Sequence, residues 1–207
     1  MLWQYIESNY KENQPILSSA LNIPGMTPTN LRQSLKNLTD KGKLKRFDAG
    51  VYFIPRKSLL KDGTTISADK VIEAKYIKNN NGVCGYYTGL KFANMLGITT
   101  QVPVTRELVT NNTAAKIRTI EIPGAKLIVR KAKTEITSEN YRTLQFLDIL
   151  GNIYNYSELP VNVLNRKLRT YMQSADISGN MIRKYISYYP DKIARIMIEM
   201  GLVNVSA

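Results

Sequence analysis

The side chains best suited to chemistry lie between Thr27 and Pro55, in TPTNLRQSLKNLTDKGKLKRFDAGVYFIP. Thr29, Arg32, Gln33, Lys36 and Asn37 fall at helical spacing on the side opposite a stripe of Leu31, Leu35 and Leu38. A guanidinium can fork onto guanine edges, carboxamides can pair with adenine, and Lys or Thr can reach phosphate. Such a set is suited to reading a DNA groove. Lys45 and Arg46 follow on a short strand and would add phosphate contacts. A solvated helix face or a protein-docking face is the plainer alternative, and Arg46 could instead pair with Asp40 or Asp48.

The missing residue types narrow the chemistry. There is no histidine, so the commonest general base and the Ser–His and Cys–His activation schemes are absent. No dense acidic cluster, glycine-rich phosphate loop or metal-ligand spacing takes their place. The expectation is a binding protein rather than an enzyme, with no cofactor and no metal. Its 29 Lys and Arg outnumber 16 Asp and Glu, a formal net charge of +13. That field favours polyanions, nucleic acid above all. The excess is +5 over residues 1–60, +6 over 61–137 and +2 over 138–207.

The elements that must carry this surface are legible around it. Residues 2–10 and 15–22 read as short helices. Thr27 as N-cap and Pro28 at the first helical position start a third helix, which Gly42 ends in the left-handed C′ position. Two β-type runs, Leu44–Phe47 and Val51–Ile54, flank a turn Asp48-Ala49-Gly50. Three helices and a basic hairpin predict a winged helix-turn-helix domain over 1–60, followed by a C-terminal domain over 61–207. The polar connector 61–69 marks the boundary. Beyond it, a helix from Asp69 to Asn79, a helix from Thr88 to Leu96 and strands Glu107–Thr110, Lys116–Ile122 and Lys126–Lys131 make 61–137 a mixed α/β part. Residues 138–207 read as helical, beginning with a helix capped by Ser138. The fold class expected is α+β.

Arg130 and Lys131 form a possible secondary basic surface, which would extend the DNA footprint, touch a partner or merely be solvated. Tyr86 and Tyr87 read as a contact surface or as half-buried core. Cys84, the single cysteine, reads as a small packed residue and suits a cytoplasmic protein. No stretch is apolar enough for a membrane helix.

Two blocks resemble a known family when taken together. One runs from Gly42 through Arg46, Gly50 and Tyr52 to Arg56. The other is GYYTGLKFANMLGITTQVP with the following RELVTNN and KIRTIEIPGAKLIVRKA. Over residues 30–132 the chain resembles the AbiEi family, antitoxins of AbiE-type abortive-infection toxin–antitoxin systems. The resemblance places Gly42, Arg46, Gly50 and Tyr52 on the wing, and Leu96, Gly97, Gln101 and Pro103 in the second block. It implies binding to double-stranded DNA at an operator with inverted repeats, repression of the protein's own operon, and a C-terminal domain that counteracts a nucleotidyltransferase-type toxin. It does not require antitoxin and toxin to bind each other. The alternative is a stand-alone regulator whose C-terminal domain senses a ligand or mediates assembly.

Overall fold

A computed structural model describes residues 1–56, 65–79 and 82–202. Lys57 and residues 61–64 of the 61–69 connector lie outside the described residues. The chain is mixed α and β, in keeping with the expected class. It divides into two compact units: Met1–Lys75 together with Ile122–Gly124, and Tyr76–Glu121 together with the chain from Ala125 onward.

The first unit opens with α1 (Leu2–Asn9) and β1 (Ile16–Leu17). The helix expected over 15–22 is not there: Ile16 pairs with Tyr52, Leu17 pairs with Val51, and only Ser18–Ala20 coils, as one 3-10 turn. The local pattern permitted a helix, but pairing with a strand some 35 residues away decided otherwise, as short β segments commonly do. Then come α2 (Pro28–Asp40), β2 (Lys45–Asp48) and β3 (Val51–Phe53), the three strands lying in the order β1-β3-β2. The hairpin is tighter than expected. Asp48 sits opposite Val51, leaving a bulge at Phe47 and a two-residue turn. Leu2, Ile6, Ile16, Leu21, Ile23, Leu35 and Leu44 form this unit's core. Ala68–Ile72 forms α3, which passes into a π-helical turn, Glu73–Ile77, instead of continuing to Asn79.

In the second unit, β4 (Lys78–Asn79) pairs with β5 (Gly82–Val83). A four-stranded sheet holds β6 (Gly85–Thr88), β7 (Thr105–Thr110), β8 (Ile117–Ile122) and β9 (Ala125–Lys131), in the order β6-β7-β9-β8. β6 runs antiparallel to β7, and β7 parallel to β9. Between β6 and β7 lies α4 (Gly89–Met95), and after β9 come α5 (Tyr141–Leu150), α6 (Ile153–Tyr156), α7 (Val161–Ser174), α8 (Gly179–Tyr185) and α9 (Lys192–Glu199). Ser138 does not cap α5: the residue before that helix is Asn140, whose side chain accepts from Thr137 N–H at 2.8 Å. Phe92, Val109, Leu144, Phe146, Leu147, Leu164 and Leu168 are among the residues of one apolar core in this unit. Among the described residues no helix is long and apolar enough to cross a membrane.

Candidate nucleic-acid interface

The start of α2 forms as its sequence dictates. Thr27 is extended, its hydroxyl accepts from Asn30 N–H at 3.2 Å, and Pro28 fills the first helical position. Leu35 is 1% exposed, with Leu31 and Leu38 packed on the same core. At the far end Gly42 takes φ +68°. Its N–H donates to Thr39 C=O at 2.9 Å, and Lys43 N–H donates to Leu38 C=O at 3.0 Å. This pair of bonds is a Schellman motif, which satisfies carbonyls a helix end leaves open.

With the leucines inward, Thr29, Arg32, Gln33, Lys36 and Asn37 are all exposed. Gln33 Nε2 donates to Asn37 Oδ1 at 3.1 Å, so the two carboxamides are paired one helical turn apart. Arg32 and Lys36 also line a cleft of about 570 Å3 with Arg46, Asp40, Tyr52 and Ser18. Arg46 is exposed, and its Nε donates to Asp48 C=O at 3.3 Å rather than to the Asp48 carboxylate. Lys45 on the same strand is half-buried. Gly50 allows the hairpin to close. It has φ +71°, its carbonyl accepts from Ser18 N–H at 2.9 Å, and a Cβ there would meet Ser18 Oγ at 3.0 Å. The structure thus brings three of the predicted cations, Arg32, Lys36 and Arg46, to one cleft within the first unit.

A family model matches residues 10–147, which span this surface and the four-stranded sheet. The chain belongs to DUF6088. DUF6088 is a family of unknown function, and no curated protein matches the chain.

The other basic pair expected from this DUF6088 sequence is divided by its strand. Lys131 is exposed, its N–H donating to Lys116 C=O at 3.0 Å. Arg130 points to the opposite face, where Nη2 meets Asp148 Oδ2 at 2.9 Å and Glu107 Oε2 at 3.9 Å. Thr88 Oγ1 donates to the same Asp148 oxygen. Beside them Tyr86 O–H contacts Tyr189 O–H at 3.5 Å, and Tyr189 donates to Leu144 C=O at 2.9 Å. Burial pushes both phenols above the ordinary tyrosine range. Gly89 makes room for Glu107, since a Cβ at its φ of +59° would lie 2.8 Å from the carboxylate. So Tyr86 is core, while Tyr87 is half-buried. Sequence reading missed this network. Its one visible signal was Asp148, a carboxylate inside the apolar run LQFLDIL.

The residues of the second block have structural tasks. Gly97 has φ +65° just after α4. Gln101 Nε2 donates to Glu158 Oε1 at 3.0 Å, and Thr100 N–H and Oγ1 donate to Glu158 Oε2 at 2.8 and 3.0 Å. These bonds, led by the Thr100 N–H, hold the Glu158 carboxyl down at about 2. Cys84 is buried, its Sγ accepting from Asn112 Nδ2 at 3.2 Å, and burial raises its thiol pKa. Among the described residues no group of three His, Cys, Asp or Glu could hold a metal ion.

Proposed function

We propose that this protein binds double-stranded DNA sequence-specifically through a winged helix-turn-helix of residues 1–60, and that it acts in the cytoplasm as an autorepressing antitoxin without enzymatic activity. The observation that carries the DNA reading is the outer face of α2. Arg32, Gln33, Lys36 and Asn37 are exposed on it, no carboxylate occurs between Thr27 and Thr39, and Arg46 of the hairpin shares its cleft. α2 would lie in the major groove, with Thr29, Lys36, Lys45 and Arg46 positioning it on phosphates. In this reading the Ser18–Ala20 turn stands where the second helix of the motif would lie, and β1 pairs with β3 of the hairpin.

The antitoxin role draws its support from the resemblance of residues 30–132 to AbiEi. In that reading residues 61–207 counteract a nucleotidyltransferase-type toxin, and the operator carries inverted repeats.

The deciding measurement is the affinity of the full chain for the DNA upstream of its own gene, against an unrelated duplex, over a salt series. Specific binding should fall steeply with salt and be lost on joint replacement of Arg32, Gln33, Lys36, Asn37, Lys45 and Arg46. Unchanged affinity in that variant would exclude this surface. Co-expression with the neighbouring toxin tests the second role, which fails if growth is not rescued.

A further inference from the structure

The bond between Gln33 and Asn37 carries more than a local helix contact. A glutamine carboxamide has two N–H hydrogens and an acceptor oxygen. One hydrogen of Gln33 Nε2 is held by Asn37 Oδ1 at 3.1 Å, and both residues are otherwise exposed. With Asn37 taking the hydrogen that points away from Oε1, the second Nε2 hydrogen and Oε1 lie side by side at the edge of the amide plane, one donor next to one acceptor.

Only one base edge in the major groove complements that pair. Adenine presents the N7 acceptor beside the N6 donor. Guanine presents two acceptors, N7 and O6, so Oε1 would face a like lone pair. Cytosine offers a donor and thymine an acceptor beside a methyl group, each matching only half of the amide. What Asn37 adds is restraint, because a free glutamine side chain loses considerable rotamer freedom when it docks.

Resting on the DNA reading above, we infer that Gln33 selects adenine at one position of each bound site and that Asn37 is the positioning residue that holds its carboxamide ready. Arg32, with its fork of donors, serves guanine elsewhere in the site.

The test uses the full chain and a pool of duplexes randomised across the bound site, reading relative affinities for the four bases at each position. The parent chain should prefer adenine over guanine at one position by about 5- to 150-fold. Gln33→Ala should reduce that ratio to about twofold or less and leave the preferences elsewhere intact. Asn37→Leu, which cannot accept, should lower the ratio in part. Asn37→Asp, which keeps an acceptor, should retain the ratio while weakening binding to every sequence alike. A Gln33-dependent position that prefers another base, or an adenine preference that survives Gln33→Ala, overturns the inference and leaves DNA binding standing. A full ratio in Asn37→Leu overturns the positioning role. Absence of any sequence preference in the parent chain overturns both this inference and the sequence-specific reading beneath it.

Discussion

Arg32 and Arg130 carry the same charge into opposite surroundings. Arg32 stands on the outer face of α2 among Gln33, Lys36 and Asn37, lining an open cleft. Arg130 lies half-buried against α5, held by an Asp148 side chain that is 7% exposed, with Glu107 nearby. A charge that leaves water needs a partner, and the second unit supplies one. On the outer face of α2 the neighbours are cations and amides, and Asp40 lines the same cleft without forming an ion pair with Arg32. Charge count alone does not tell such sites apart; the half-buried ion pair that Arg130 makes does.

The sharpest way to break this contrast is Asp148→Ala. It leaves the Arg130 guanidinium without its close partner and Thr88 without its acceptor, and should cost about 3 kcal/mol of stability. A lower urea midpoint at unchanged slope would register it, with DNA affinity per folded molecule unaltered. Arg32→Ala should do the reverse. Binding weakens by about 1–3 kcal/mol, while stability stays within about 0.5 kcal/mol of the parent. If Arg32→Ala instead unfolds the protein, or Asp148→Ala abolishes binding at full folding, the contrast fails.

Thr27→Ala bears on the platform rather than the reader. Loss of the cap bond to Asn30 should cost about 1 kcal/mol, seen as faster amide exchange in the first turn of α2. The smallest effect is expected at Glu158. Its carboxyl is lowered from 4.5 to about 2, so the restraint on Thr100 and Gln101 is complete above pH 4.5 and disappears as pH falls through about 2. Carboxyl titration by NMR should place the midpoint there, and a value near 4.5 would remove the clasp.

How much of this was legible depended on sequence distance. The cap at Thr27-Pro28, the leucine stripe and the Gly42 stop all act within a turn or two, and each formed as expected. β1 escaped because Ile16 gains its strand character from Tyr52, and β6 because its ladder is made with β7. The Asp148 network joins residues 18 and 60 positions apart, so a lone acid in FLDIL announced a buried partner without naming it. Arg130 and Lys131 were read as neighbours in sequence, and strand alternation sends them to opposite faces. The Gln33–Asn37 spacing was visible, and the bond between the two was not inferred.

The sheet order has a consequence for the chain as it is made. β9, not β8, lies beside β7, so β7 waits for its parallel neighbour until about 20 further residues exist. At ordinary translation speed that is about one to four seconds. Until β9 docks, Leu108 and Val109, buried in the finished protein, have β6 as strand neighbour and α4 packed on β7, and the other edge of β7 is unpaired.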